Sequence, residues 1–125
     1  MTASGQREAL LRVVPRPGDI NANGHIFGGW VLSQMDIAGG IMAAREAKGP
    51  VATVAIEQMK FIAPVLLRDL VSVYAEVAHR GRTSVGIHLE VFAERGGGQT
   101  VKVTEGRFTF VALDGNNRPR PIDWP

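Results

Sequence analysis

The chain has 125 residues, 14 lysines and arginines against 12 aspartates and glutamates, and no cysteine. That length suits one domain over residues 1–125 with a core of its own. The missing thiols exclude a disulfide framework, a thiolate zinc site and a cysteine nucleophile, and they suit a reducing compartment. So narrow a charge excess describes an ordinary surface rather than a stripe for nucleic acid, and no run is apolar for long enough to be a signal-peptide core or a membrane span. A cytoplasmic protein with no nucleic-acid or membrane partner is expected.

Residues 1–6 are small and polar and are expected to fray. A short strand is predicted over 7–14, closed by Pro15, Pro17 and Gly18, and a loop rich in glycine and asparagine follows over 21–29. Residues 30–48 read as one helix, roughly 28 Å long at 1.5 Å per residue. Asp36 is the only charge in its first 15 positions. A helix apolar or small nearly all round must be wrapped by other protein. Gly49 and Pro50 stop it.

Four strands are predicted after it, over 51–61, 70–79, 84–94 and 100–113. Val71, Val73, Ala75 and Val77 alternate with Ser72, Tyr74 and Glu76, and Val85, Ile87, Leu89, Val91 and Ala93 repeat the period. Residues 80–83 and the three glycines 96–98 make the tight connections. In the last strand the apolar phase slips from Val101 and Val103 to Phe108 and Phe110, which calls for a bulge near Glu105 and Gly106. A turn is expected over 114–117 and an irregular tail over 118–125. The class is α+β, about five antiparallel strands curled around one long helix.

Asp36 carries the strongest chemical signal. An unpaired buried carboxylate costs several kcal/mol, and its helical neighbours Ser33, Gly39, Gly40 and Ala43 are all small, so it faces a space. Two glycines in mid-helix cost about 1 kcal/mol each against alanine, which some close approach must offset. The plainer reading is a carboxylate satisfied by a hydroxyl or by main-chain donors. The helix start, Gly28 and Gly29, presents main-chain N–H groups without side-chain cover, suited to an anion or a polarised carbonyl oxygen. Eight residues separate Gly28 from Asp36, so both lie on nearly one side of the helix, and a carbonyl held at Gly28 could present its carbon to Asp36. The plainer reading makes these glycines turn formers only.

The run NANGHIFGGW over residues 21–30, followed by Ser33, Gln34, Met35 and Asp36, closely resembles the signature of bacterial YciA-type acyl-CoA thioesterases. The resemblance continues through Val54-Ala55, Met59-Lys60-Phe61, Pro64-Val65, Gly81-Arg82-Thr83-Ser84, Glu90-Val91 and residues 108–111, over about residues 8–120 in order. It implies the hotdog fold, an antiparallel sheet curled round a central helix, and hydrolysis of acyl-CoA to CoA and a free acid. It further implies that Asp36 is nucleophile or general base, and that Gly28 donates its N–H to the thioester carbonyl with Gly29 beside it. Asn21 would position water or thioester, facing the aspartate of a neighbouring subunit. Arg80, Arg82, Thr83 and Ser84 would approach the CoA phosphates, with Lys60 a weaker candidate. No metal or cofactor is implied, CoA being part of the substrate, and the implied assembly is a homo-oligomer of dimers, tetramer or hexamer. His25 departs from the family, many relatives having an acid there.

Other chemistries fit less well. No Gly-x-Ser-x-Gly elbow is present, and His25, His79 and His88 lack ligand spacing. A hotdog dehydratase or hydratase would pair a histidine on a proline-rich loop with a helical acid, and the loop at His25 lacks those prolines. A non-catalytic acyl-CoA sensor would carry a DNA-binding segment or lose the acid, and this chain does neither.

Overall fold

The computed structural model describes residues 7–125, and the polar stretch 1–6 lies outside them. In chain order the elements are β1 (Leu11–Val13), α1 (Gly28–Ala47), β2 (Val51–Phe61), β3 (Leu70–Arg80), β4 (Ser84–Glu94) and β5 (Thr100–Ala112). Single turns of 3-10 helix stand at Pro17–Asp19 and Gly96–Gly98. The strands form one antiparallel sheet in the order β1-β3-β4-β5-β2. The helix packs on this sheet, as expected of a hotdog.

Alternation builds the core. Val71, Val73, Val85, Ile87, Leu89, Val91, Phe108 and Phe110 point inward from three neighbouring strands and are almost wholly buried. Trp30, Val31, Met35, Ala38, Gly39, Ala43 and Ala47 supply the helix face that meets them.

Four expectations need correction. β1 is only three residues long, because Pro15 ends the pairing early and residues 7–9 leave the sheet edge. The helix starts at Gly28, two residues before the apolar run, since first-turn N–H groups need no helical partner. It ends at Ala47, where Lys48 turns left-handed with φ 57°.

The bulge in β5 is at Val103. Val91 pairs with Thr104 and Phe92 with Lys102, so Val103 is the extra residue, and both Val103 and Thr104 are buried. Near Glu105 the irregularity belongs to β2, where Gln58 adopts φ 55° between Glu57 and Lys60. A periodicity cannot tell which partner of a pair carries the added residue.

The helix is also not wrapped within its own chain. Ser33, Asp36, Ile37, Ile41 and Arg45 lie on an open flank. Ile37 is 50% exposed and Ile41 37%, and the neighbouring edge strand β2 shows Val54 at 57% and Ile56 at 46%.

The tail beyond β5 makes one bridge, Leu113 to Pro119, and is otherwise irregular yet firmly docked. Arg120 donates to the carbonyls of Ala47 at 2.6 Å and Leu113 at 3.0 Å, closing the C-terminal end of α1 with a cation. Gly49 leaves room for this, since a Cβ there would stand 2.8 Å from the guanidinium.

Candidate active site

The loop before α1 folds on its own amide. Asn21 Oδ1 accepts the N–H groups of Asn23 and His25 at 2.9 and 3.1 Å, and Asn21 N–H donates to the His25 carbonyl at 2.7 Å. The Ile26 N–H then bonds to Val65 O and the Phe27 N–H to Asp19 O, which aims the start of the helix. Phe27 caps that start with no side-chain acceptor, so Gly28 and Gly29 keep first-turn N–H groups without a helical partner.

A cleft of about 260 Å³ opens here, with Asn21, His25, Gly28 and Val31 on one side and residues 61–65 and Thr104 on the other. Its far wall is held by Asp69, only 2% exposed, whose carboxylate takes the Leu66 N–H and the Arg95 guanidinium. Arg95 also donates to Pro64 O at 2.6 Å.

Asp36 lies elsewhere. It is exposed, and its Oδ1 accepts the Thr53 hydroxyl at 2.5 Å. A second recess, of about 200 Å³, is lined by Leu32, Ser33, Asp36, Thr53, Ile56 and Phe108. Eight residues at 1.5 Å put Asp36 about 12 Å along the helix from Gly28. One carbonyl cannot meet both groups of one chain, which corrects the expectation that Gly28 and Asp36 of a single helix address the same thioester. The buried carboxylate expected from the helix is, within one chain, at the surface.

The basic turn sits at the other end of the sheet from the cleft. Ser84 pairs with Val111, and Val111 with Ala52, one register from Thr53, so the turn is about two strand spacings, roughly 10 Å, from Asp36. Arg80 and Arg82 are exposed, and Thr83 and Ser84 are half-buried. The Gly81 N–H is not free for an anion, since it donates to Ser84 O at 2.8 Å. Lys60 is not brought near this turn: it lies eight residues along β2 from Ala52, roughly 26 Å, and pairs loosely with Glu105 at 3.8 Å.

Thr53 and residues 61–65 went unnoticed as site residues in the sequence, where one threonine on a strand and an apolar run at a strand's end carry no signal. Among the described residues no group of three or more His, Asp and Glu could hold a metal ion, and no helix is long and apolar enough to cross a membrane.

A curled five-stranded antiparallel sheet on one central helix, with an acid midway along that helix and an uncapped glycine start, defines a hotdog protein of the thioesterase type. Residues 23–100 match the family described as the thioesterase superfamily. The acyl-CoA thioester hydrolase YciA of Salmonella typhimurium is 45% identical over 126 aligned positions, 98% of this chain and 95% of the relative. Among solved structures, a hexameric thioesterase from Yersinia pestis superposes with a TM-score of 0.90 at 43% identity, covering 95% of this chain and 98% of that one. A hexameric broad specificity acyl-coenzyme A thioesterase superposes at 0.87 with 44% identity, over 94% of this chain and 82% of the other. The chain belongs to the hotdog thioesterase superfamily, among its YciA-type acyl-CoA thioester hydrolases.

Proposed function

We propose that the protein hydrolyses acyl-CoA thioesters to CoA and a free carboxylic acid, at sites each built from two chains. The carrying observation is the separation just described: Asn21 and Gly28 line one cleft, Asp36 another recess, and the helix flank that bears Asp36 with Ile37 and Ile41 is open. Edge strand β2 is eleven residues long and paired on one side only. Pairing it with a second copy would extend the sheet and cover Ile37 and Ile41, surface that proteins seldom leave open. Asp36 of one protomer then faces Asn21 and Gly28 of its partner. Dimers of this kind would assemble further into tetramers or hexamers, the two solved structures described above being hexameric.

At such a site the Gly28 N–H polarises the carbonyl oxygen, with Gly29 beside it and Asn21 holding water or thioester. With Asp36 as base, water loses a proton to the carboxylate as its oxygen bonds to the carbonyl carbon. The displaced electron pair moves to the carbonyl oxygen. Collapse breaks the C–S bond, and CoA sulfur leaves with the proton Asp36 took up. With Asp36 as nucleophile, its oxygen bonds to the carbonyl carbon, the C–S bond breaks and CoA leaves as its thiolate, giving an anhydride. Water then opens the anhydride, freeing the acid and the Asp36 carboxylate, and the proton released goes to the thiolate. Neither route calls for a metal or other cofactor. The phosphates of CoA would lie against Arg80, Arg82, Thr83 and Ser84, with Lys60, if it acts, doing so from a different chain. A cytoplasmic enzyme is the companion reading, acyl-CoA being an intracellular substrate.

Release of free thiol from a panel of short, long, branched and aromatic acyl-CoAs tests this. Hydrolysis is expected for several of them, with Asp36→Ala folded and slower by at least ~10²-fold, the scale of a lost acid–base group. A folded Asp36→Ala protein with near wild-type turnover would end the mechanism.

A further inference from the structure

We infer that Trp124 is a positioning residue for the nucleotide half of the substrate: it holds the 80–83 turn so that CoA esters bind better than thioesters lacking phosphates. The inference rests on the proposed thioesterase function and extends it to the tail, which the sequence reading left without a role.

The tail is tied to the turn at three points. The Trp124 indole N–H donates to Gly81 O at 2.7 Å. The Ile122 N–H donates to Arg82 O at 2.8 Å, with the Ile122 side chain buried in the core cluster. The Arg80 guanidinium lies over the Trp124 ring, 5.4 Å from its centroid. Arg120 anchors the tail upstream, its N–H bonding to Ala112 O at 2.9 Å and its guanidinium to Ala47 O.

These bonds matter because a turn offers an anion both repulsion and attraction. The carbonyl oxygens of Gly81 and Arg82 would repel a phosphate if they swung toward it. The tail supplies a donor to each and ties both back. The aromatic face restricts Arg80, a side chain that otherwise loses much rotamer freedom on binding. The turn therefore presents its cations with its carbonyls already occupied. Trp124 touches no part of the reacting thioester, so the binding of the phosphates should feel its loss and the chemical step should not.

The test compares kcat and KM for one acyl group carried by CoA and by pantetheine, which lacks the nucleotide and its phosphates. Trp124→Ala should raise KM for the CoA ester about fivefold or more, with kcat within about twofold and pantetheine kinetics unchanged. Trp124→Phe, which keeps a ring beneath Arg80 but loses the donor, should fall between wild type and Trp124→Ala. It reads the same split should the alanine variant not fold. An unchanged KM for the CoA ester would overturn the inference, as would equal KM changes for both substrates, which mark a general loss of structure. A wild-type chain that releases no thiol from acyl-CoA would overturn the parent reading. An active wild type with a KM indifferent to Trp124 overturns only this one.

Discussion

Asp36 stands out in the sequence from its surroundings alone, one charge among small residues on an apolar helix, although the structure puts it at the surface of the single chain. Its partner Thr53 does not stand out, because a hydroxyl on an alternating strand has no pattern to betray it. Thr53→Val should leave the fold intact and lower kcat about tenfold, since an unanchored carboxylate samples more rotamers. Steady-state thiol release reads that directly, and an unchanged kcat would remove Thr53 from the site. The paired glycines called for a close approach, and only one of them meets it within the chain. A Cβ on Gly39 would stand 2.9 Å from the Phe110 ring and 3.2 Å from Leu89, whereas Gly40 would meet Phe110 at an ordinary 3.8 Å. Gly39→Ala should therefore lose stability, overpacking at about 1–3 kcal/mol outweighing about 1 kcal/mol of helix propensity. Gly40→Ala should melt no lower than wild type. If it melts lower too, the close approach at Gly40 comes from a second copy of the chain.

The strands were readable because burial on one face enforces a period of two, and their limits held to within a residue for β2 to β4. The place of the bulge was not readable, since Val103 is apolar on either phase and only pairing with Phe92 and Val91 reveals it. Next to that bulge the outer face carries an ion cluster. Hydrogen bonding to Lys102, and then to Arg7, holds the Glu90 carboxyl below its ordinary 4.5 although partial burial opposes them. Lys102 likewise holds Glu105 down, and the two glutamates raise Lys102. A carboxyl depressed in the folded state stabilises above its unfolded value and loses that contribution as pH falls through the folded value. Melting temperature should thus drop below pH 4.5, and less steeply in Lys102→Met, whose glutamates titrate nearer their ordinary value. Thermal melts between about pH 3 and pH 7 compare the two slopes. For the 80–83 turn, Arg82→Ala should raise KM for acyl-CoA more than it lowers kcat, by a margin that shrinks at high salt. Indifference to the substitution would put the phosphates elsewhere.

At the scale of the molecule, the curled sheet on one helix followed from counting what could cover an apolar helix. One sheet covers only one side of such a helix, which leaves a shortfall. The structure shows where it falls, on the flank bearing Ile37 and Ile41 beside edge strand β2. The spacing in the sequence already puts Gly28 and Asp36, though on one side of the helix, about 12 Å apart, too far to serve one carbonyl. The separate clefts around them are what only the structure shows. With the site proposed above, that distance makes assembly a condition of catalysis. Co-expression of Asn21→Ala and Asp36→Ala chains tests it most directly. Each mixed dimer would hold one intact site and one doubly damaged, so equal random mixing should restore about a quarter of wild-type activity from two nearly inactive parents. Mixed dimers that form yet remain as inactive as either parent would contradict the shared site.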